Sequence, residues 1–534
     1  MRKRTSAAAL VLLLLLAALS VRAEKAERSR PAEALPAGAF LLFEAPDGNA
    51  FLRFLCSSPL GRTFRLPDLS KPLPPPPAGA TGWKAALAAL SALDWGLALA
   101  VYPEKGTALL LREHAGKGRA LLDAFLLLDP AVKSGMKEMK TSPGTWKVGD
   151  DYYLKVRDGD VFLCGSLKLL RRVSKRRHPA SMADTLAHDG GWEAPPGGVY
   201  FFADMTKTGD SFFSESERPL ADALGLTSLA TLHWSSAPEQ GFYHDRLLLR
   251  PASRGWKGLP AAAPMRGTPA FDGRLSKSFF RFALSVDAGD ALRRAIEAVP
   301  PQKRGGLDRA VQLYRAVSRR DLYSDVSTAF DGNVELALQL PDTGVLPHLS
   351  LSLGVGEISM ARTIFDFVNS SGFPVFPLSR KVGDTVIHYR NSLGRLGVTP
   401  CCAFGSGRLL FSDSIPWLRS LLENKGEAFP PPGKRVHPMM KAYPPDRLAA
   451  FHADDRAIAR WLLSLLPLAQ AKGVKLPFDP LDLPSADEVA DMFASSAGWL
   501  KRAGKDLSGE SWSDFPMLGA AAFAFLVGRS TGFW

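Results

Sequence analysis

Short apolar runs separated by turn-forming residues dominate the hydrophobic pattern of this chain. Residues 95–102, WGLALAVY, and residues 107–113, TALLLRE, flank Pro103, Glu104, Lys105 and Gly106, which predicts a strand, a turn and a second strand. Residues 116–128, GKGRALLDAFLLL, instead carry apolar side chains at helical spacing. The pattern therefore predicts strands and helices alternating along one chain.

Two further segments have the pattern of β-hairpins. In residues 152–164, Asp158-Gly159 stands between two apolar runs, and we expect Gly159 to take the positive φ that tight hairpins need. Residues 399–411 repeat this arrangement around Gly-Ser-Gly. Strands joined by hairpins form antiparallel sheets, so we predict an α+β fold in which helices pack on one face of a mainly antiparallel sheet.

Helix starts are marked by serines. Ser166 and Ser414 each follow a hairpin and stand where an N-cap opens the next helix. Ser485 and Glu488 form a capping-box pattern, which predicts a helix from there to about Arg502. Apolar residues 515–527 predict a terminal helix packed on the protein.

The sequence KVGD occurs twice, at residues 147–150 and 381–384. Other similar pairs follow in the same order and at similar separations: GNAFLR and GDALRR, LALAVYPEKG and LALQLPDTG, ALLDAF and ARTIFDF, VFLCGSLKLLRRV and LLFSDSIPWLRSL, YFFAD and AFHAD. The separations are far longer than a solenoid repeat. We therefore predict two pseudo-repeated lobes of one α+β design.

Composition shifts give the predicted domain boundaries. They are a signal peptide at 1–23, a flexible leader at 24–35, lobe 1 at 36–250, a linker rich in Pro, Gly and Ala at 251–275, and lobe 2 at 276–534. Proline-rich residues 71–79 and 429–434 are predicted to be extended spacers.

The N-terminus has the pattern of an export signal. Arg2, Lys3 and Arg4 precede an apolar run, and the small residues Val21 and Ala23 fit cleavage after Ala23. We predict an exported protein, periplasmic or secreted; the alternative is a protein tethered by an uncleaved N-terminal segment. Net charge is +13, and the 46% hydrophobic and 22% charged composition excludes a disordered or polytopic class.

The sequence contains no recognisable catalytic or metal-binding motif. Its nine histidines are scattered singly, without HExxH or His/Cys ligand spacing, and GxSxG is absent. We therefore predict no enzymatic activity, catalytic residues, metal or cofactor. Cys56, Cys164, Cys401 and Cys402 permit disulfides in an oxidising compartment, but buried free thiols are the favoured interpretation.

The densest charge feature is the run from Arg171 to His178. Cations at a helix C-terminus complement the helix dipole, which is the structural interpretation. The functional alternative is contact with an anionic lipid, glycan or other polymer, and its candidate residues are Arg171, Arg172, Lys175, Arg176 and Arg177. Nucleic acid is not expected, because the chain is predicted to be exported and lacks interleaved basic and aromatic stripes.

Four segments resemble an exported bacterial family of unknown function, the domain-of-unknown-function family 3352. They are the strand, helix and SSPLGR of residues 35–62, the hairpin and helix of 152–173, the strand 241–252, GFYHDRLLLRPA, and 482–493, DLPSADEVADMF. The resemblance implies export and an α+β architecture over most of the mature chain, and it implies no catalytic residues. The C-terminal FLVGRSTGFW departs from the pattern, because it has no clear second anchor.

Together these observations predict a non-enzymatic envelope protein that acts as a scaffold or binding module. Its partner would be a protein, a lipid or an envelope polymer, with peripheral membrane association as one mode. Two alternatives remain open: a periplasmic carrier of lipid or another apolar ligand, suggested by LLDAFLLL and WLLSLLPLA, and a hydrolase with an unrecognised site. A groove between the two lobes is the expected ligand site.

Overall fold

A computed structural model gives the structure of the protein. It describes residues 30–57, 81–103, 106–128, 130–140, 142–149, 152–188, 198–207, 213–215, 217–239, 242–252, 255–258, 273–275, 278–340, 347–370, 375–391, 398–423, 446–471 and 484–513, with the single residues 69, 195, 261, 271 and 444. The predicted signal peptide, the two proline-rich spacers and the predicted terminal helix lie outside the described residues.

The chain divides into two compact units. Unit 1 comprises Met1–Phe212, Ala230–Arg250 and Trp512–Trp534, and unit 2 comprises Phe213–Leu229 and Pro251–Ser511. The chain passes from unit 1 to unit 2 after Arg250, and residues 213–229, which precede that point, also belong to unit 2.

Unit 1 is built on an antiparallel sheet. Its strands pair in the order β4, β5, β6, β7, β3, β2, β1, β8, β9, with β10 next to β9. The strands are β1 (Leu41–Ala45), β2 (Trp95–Tyr102), β3 (Gly106–Glu113), β4 (Met136–Glu138), β5 (Thr145–Val148), β6 (Tyr152–Arg157), β7 (Asp160–Cys164), β8 (Val199–Asp204), β9 (Leu229–Glu239) and β10 (Phe242–Pro251).

Unit 2 also contains an antiparallel sheet. Its strands pair in the order β14, β15, β16, β17, β13, β12, β11, β18, β19, with β20 next to β19, which is position for position the order in unit 1. The strands are β11 (Phe280–Ser285), β12 (Phe330–Gln339), β13 (His348–Val355), β14 (Leu378–Val382), β15 (Thr385–Tyr389), β16 (Cys401–Gly405), β17 (Arg408–Ser412), β18 (Arg447–Ala453), β19 (Ser496–Ala503) and β20 (Asp506–Ser513).

Helices connect the strands of both units. Those of unit 1 are α1 (Gly48–Ser57), α2 (Trp83–Ser91), α3 (Gly118–Leu126), α4 (Pro130–Gly135), α5 (Leu167–Val173) and α6 (Met182–His188). Those of unit 2 are α7 (Arg218–Ala223), α8 (Ala288–Ala298), α9 (Pro301–Ser318), α10 (Leu322–Ala329), α11 (Ile358–Ser370), α12 (Ile415–Glu423), α13 (Asp455–Ala471) and α14 (Ala486–Asp491). The class is mixed helix and strand with a large antiparallel sheet, as predicted.

The prediction that helices pack on one face of the sheet is wrong. In unit 1, Ala98 and Ala100 of β2 share a core with α5 and α6, whereas Trp95 of the same strand contacts Phe125 of α3 with 5.3 Å between ring centroids. Successive side chains of a strand point to opposite faces, so both faces of this strand are covered by helices.

Unit 2 shows the same two-sided packing. Adjacent residues of β16 enter different clusters: Ala403 lies with Leu418 of α12, and Phe404 packs against the cluster that contains Ile364 of α11. Both faces bury apolar surface, and each therefore needs a helical layer.

The two KVGD copies occupy different turns. The first copy joins β5 to β6, and the second joins β14 to β15. In the two strand orders β5 holds the same position as β15, and not that of β14, so the two turns do not correspond. KVGD is also the matched pair with the shortest separation along the chain. The motif that first suggested a repeat is therefore not at an equivalent place in the two units.

Residues 30–35, predicted as the end of a flexible leader, are packed against unit 1. Pro31–Ala34 form a 3₁₀ helix, and Ala32 and Leu35 are fully buried. The buried carboxylate of Glu44 accepts hydrogen bonds from Arg30, at 2.6 Å, and from the Ala32 backbone N–H, at 2.8 Å. A buried carboxylate needs such partners, and it fixes this segment.

Parts of the predicted linker 251–275 are packed as well. Gly273–Leu275 form a 3₁₀ helix with Leu275 fully buried in unit 2. The Trp256 indole donates to the Lys505 carbonyl at 2.8 Å. These contacts attach Trp256 and Gly273–Leu275 to unit 2.

The β6–β7 hairpin turn differs in detail from the prediction. The positive φ belongs to Asp158, at 52°, and not to Gly159. Gly159 is required for a different reason: a Cβ there would lie 2.2 Å from the Glu113 carbonyl oxygen. Asp tolerates the left-handed region better than most residues, so it can take the turn position while glycine allows the close approach.

All four cysteines are buried free thiols. Burial raises the pKa of Cys164 and of Cys401 to about 12, and it also raises the pKa of Cys402. A raised pKa keeps a thiol protonated and unreactive near neutral pH. The thiols of Cys164, Cys401 and Cys402 therefore serve as buried packing groups in the folded protein.

Candidate functional site

The predicted basic run crosses the C-terminal end of α5. The helix begins at Ser166, whose Oγ accepts the Leu169 N–H at 3.1 Å, which confirms the predicted N-cap. Arg171 and Arg172 lie in its last turn, and the chain leaves the helix at Ser174. The run is thus partly helical and partly loop, and its members have different surroundings.

Arg172 is held by structural contacts. Its Nη2 donates to the Ala37 carbonyl at 3.2 Å, and its guanidinium lies over the Tyr102 ring, 5.0 Å from the centroid. Arg171 is exposed on the helix and does not line the pocket described next. Of the five predicted residues, these two therefore stand apart from the others.

Lys175, Arg176 and Arg177 are exposed and lie together at the rim of a cavity of about 330 Å³ in unit 1. We call this cavity the basic pocket. It is lined by Glu33, Ala34, Arg112, Arg157, Lys175, Arg176, Arg177, His178 and Ser181. Five cationic side chains thus line the cavity together with one carboxylate, that of Glu33. Asp160, which is outside the lining, pairs with Arg112 and Arg157 and offsets part of their charge, so the exposed Lys175, Arg176 and Arg177 carry most of the positive excess.

Arg112 and Arg157 line the basic pocket, and Asp160, which does not line it, pairs with both; we call these three residues the pocket floor. Arg112 and Asp160 make a two-point pair, with Nε to Oδ1 at 2.8 Å and Nη2 to Oδ2 at 3.2 Å. Arg157 donates to the Ser174 carbonyl at 2.5 Å and lies 3.5 Å from Asp160 Oδ2. With side chains only 10–19% exposed, these groups are fixed in place before any ligand arrives.

Strand pairing brings the pocket floor together. Arg112 of β3 lies opposite Asp160 of β7, and Arg157 of β6 lies opposite the same Asp160 across the hairpin. The sequence pattern predicted a hairpin at this place but not its role in a site. The available signal was the charge of both residues flanking the turn, Arg157 and Asp160.

His178 contributes hydrogen bonding rather than charge. Its Nε2 lies 3.2 Å from the Ala34 carbonyl, so this nitrogen carries a proton and donates. Burial lowers the pKa of His178, and the nearby Arg157 and Lys175 lower it further, although backbone hydrogen bonds act in the opposite direction. The neutral imidazole therefore ties the basic run to residues 31–34 at neutral pH.

A second cavity, of about 220 Å³, lies beside the first. It is lined by Arg112, Glu113, His114, Gly116, Gly159 and Asp160. Glu113 accepts the Lys117 N–H at 2.6 Å, and Asp160 is bound by Arg112. The lining of this second cavity contains no serine, threonine or cysteine.

Within the described ranges, no group of three or more His, Cys, Asp or Glu side chains is arranged to hold a metal ion. None of the helices in these ranges has the length and apolar character needed to span a membrane. Neither observation changes the chemistry of the basic pocket, which rests on arginine and lysine.

Comparison with known proteins adds little. No protein-family model matches the sequence, and no curated protein matches it. Among solved structures, crystal forms I, III and IV of TP0453 are 13%, 11% and 12% identical, with TM-scores of 0.23, 0.24 and 0.26. Each match covers 43% of this chain and 81% of the other. Such low scores carry no argument about this chain, and the predicted family resemblance stays a prediction.

Proposed function

We propose that this protein is an exported, non-enzymatic binding module whose unit 1 holds a phosphate- or carboxylate-bearing group in the basic pocket. The observation that carries the proposal is the convergence of five cations on a cavity with one lining carboxylate. The envelope location rests on the pattern of the N-terminal residues, and the partner is an anionic polymer or lipid headgroup.

Both the pocket floor and the exposed rim residues suit the binding of an anion. The floor arginines are oriented by Asp160 and by the Ser174 carbonyl, so little side-chain entropy is lost when an anion binds beside them. Arginine presents a planar fork of donors that matches carboxylate and phosphate geometry. Lys175, Arg176 and Arg177 are free of the core and can close on the ligand from the rim.

We also propose that the two units are copies of one ancestral unit. The support is their shared strand order together with the matched segments other than KVGD, which lie on strands and helices in the same relative places. The carrier alternative would need an apolar cavity, whereas both cavities above are lined by charged residues. No observation favours it or the hydrolase alternative over anion binding.

Calorimetric titration of the purified chain with inorganic pyrophosphate tests the proposal. Replacing Lys175, Arg176 and Arg177 together by Gln removes three rim charges at nearly constant size. Because exposed ion pairs contribute about 0.2–1 kcal/mol each, we expect affinity to fall about tenfold. The matched control replaces Lys140, Lys168 and Arg171, which are exposed but outside the pocket lining, by Gln.

The control variant should lose less than about half of the affinity, through long-range charge alone. An equal loss in both variants would mean that net charge, and not the pocket, attracts the anion. Parallel titrations with soluble polyphosphate and with phosphatidylglycerol vesicles separate a polymer from a lipid headgroup as the source of the anion.

A further inference from the structure

Helix α9 of unit 2 is attached to its unit mainly by one side chain. Tyr314 is 1% exposed, and its hydroxyl donates to Asp325 Oδ2 at 2.6 Å. Its ring meets Phe367 of α11 edge to face, with centroids 5.0 Å apart. The other residues of the helix are exposed or half-buried, so most of its surface faces solvent.

An apolar stripe runs along this exposed surface. Ala310, Leu313 and Val317 follow one another at intervals of three and four residues, which places them on one side of a helix. Leu313 is 46% exposed and Val317 is 69% exposed, and Leu307, one turn earlier, is 41% exposed. We call Ala310, Leu313 and Val317 the α9 stripe.

Basic residues flank the α9 stripe. The segment 301–320 carries one acidic residue, Asp308, against six cationic ones: Lys303, Arg304, Arg309, Arg315, Arg319 and Arg320. Arg304 pairs with Asp308 at 3.3 Å and Arg315 with Asp321 at 3.0 Å, which leaves a clear positive excess beside the stripe. Helices that lie in a membrane interface combine apolar side chains on one face with Lys and Arg beside them, and α9 shares these two features over a short stripe.

Charge complementarity selects the occupant. A second copy of this chain would bring two basic helices together, and like charges at close range oppose association. An anionic lipid surface attracts the basic flank while its acyl boundary accepts apolar side chains. We propose that α9 docks on the surface of an anionic lipid bilayer, with the α9 stripe at the boundary between headgroups and acyl chains.

This inference does not rest on the basic pocket, because the residues that carry it belong to unit 2. Docking parallel to the membrane requires no spanning segment, since burial of a short stripe and the electrostatic attraction act together. The hydrogen bond from Tyr314 to Asp325 would keep the helix attached while the neighbouring α9 stripe contacts lipid.

A dye at the stripe gives the most direct test. The native cysteines are buried, so a cysteine introduced as Val317→Cys is open to selective labelling with an environment-sensitive fluorophore. We expect a blue shift with vesicles containing one third phosphatidylglycerol and none with phosphatidylcholine vesicles. Leu462→Cys, at a residue 50% exposed on α13, is the matched control and should show no shift.

Vesicle co-sedimentation of the full chain supplies the second measurement. Lys303→Gln with Arg309→Gln removes two charges, and we expect about 30-fold weaker partitioning onto the anionic vesicles. Leu313→Ser with Val317→Ser should weaken partitioning about tenfold or more. The control pair Val386→Ser with Leu462→Ser, at residues 43% and 50% exposed elsewhere in unit 2, should leave it unchanged.

Three results would overturn the inference. They are equal shifts for the two labelled positions, partitioning that survives both α9 variants, and a shift that appears without vesicles and grows with protein concentration, which would assign the α9 stripe to a second copy. The pocket variant of unit 1 separates the two proposals, because it should alter anion titration while the shift at Val317→Cys persists.

Discussion

Units 1 and 2 share a backbone pattern and differ in the chemistry that the pattern carries. In unit 1 the Phe40 N–H donates to the Val101 carbonyl at 2.9 Å, and in unit 2 the Phe279 N–H donates to the Leu338 carbonyl at the same distance. These bonds fix the register of β1 on β2 and of β11 on β12. Residues of β1 can therefore be compared with those at the same register position of β11.

The centre of the sheet shows the difference most clearly. Leu42 of β1 lies between Ala100 and Phe202 in an apolar core. Its equivalent in β11 is Arg281, which is fully buried and pairs with Glu335 at 2.6 Å. The same strand order thus accommodates either an apolar centre or a buried ion pair, because backbone hydrogen bonds set the register and side chains fill the faces.

The pocket floor differs in the same way. Its three charged residues close the ladders of β3, β6 and β7 in unit 1. The residues that close the corresponding ladders in unit 2 are Gly354, Gly405 and Arg408. The carboxylate that orients two arginines in unit 1 has no equivalent there. The comparison shows that the same strand order does not by itself supply a pocket floor, which depends on the residues at the ends of these ladders.

Breaking the buried ion pair of Arg281 and Glu335 should produce the largest loss of stability. Replacing Glu335 by Ala leaves the Arg281 guanidinium buried without its carboxylate, and we expect unit 2 to lose about 3–5 kcal/mol of stability. Urea unfolding followed by circular dichroism measures the change. The double variant Arg281→Leu with Glu335→Leu recreates the apolar centre of unit 1 and should recover most of that loss. A double variant as unstable as Glu335→Ala would show that the pair is specifically required.

Removing the hydroxyl of Tyr314, which attaches α9 to unit 2, should cause an intermediate loss of stability. Tyr314→Phe removes the hydrogen bond to the mostly buried Asp325, and we expect a loss of about 2 kcal/mol at neutral pH. Burial, and then the bond to Asp325, raise the pKa of Tyr314 from 10.0 to about 12. The folded state therefore holds a proton that the unfolded state releases. Stability from this group is complete below pH 10 and is lost as the pH rises to about 12.

Urea midpoints of the parent chain and of Tyr314→Phe, measured from pH 8 to above 11, check this sign. The parent's advantage should shrink with rising pH. An advantage that is constant or grows would contradict the raised pKa.

Removing a helix cap should cause the smallest loss of stability, and the same change can be made in both units. Ser166 accepts the Leu169 N–H at 3.1 Å in unit 1, and Ser414 accepts the Trp417 N–H at 3.4 Å in unit 2. Both predicted caps are confirmed, but the second bond is longer. We expect Ser166→Ala to cost about 1 kcal/mol and Ser414→Ala about half as much, measured by urea unfolding. A larger loss for Ser414→Ala would reverse this ranking.

Local patterns predicted the elements better than their assembly. The capping box at Ser485 is present, but α14 ends at Asp491 and not near Arg502, because residues from Ser496 onward pair with β18 as strand β19. Tertiary pairing overrides helix propensity in such a segment. The two-sided helix packing was missed for a related reason, since many strand residues on both faces are apolar and simple alternation does not reveal which helix covers them.

The site was predictable only in part. Lys175, Arg176 and Arg177 are consecutive in the sequence and belong to its densest run of charged residues, so they could be recognised from sequence alone. The pocket floor combines Arg112 with a hairpin more than forty residues later, and only the pairing of β3 with β7 brings them together. The sequence therefore reveals the rim residues of the pocket but not the residues of its floor.

Anomalous diffraction from crystals of the full chain soaked in selenate tests the central claim most directly, because it locates bound anions without assuming a ligand. The account predicts an anomalous peak in the basic pocket, between the floor arginine Arg157 and the rim residues Arg176 and Arg177, and none at the corresponding place in unit 2. A basic pocket without a peak, in crystals that bind selenate elsewhere, would contradict it.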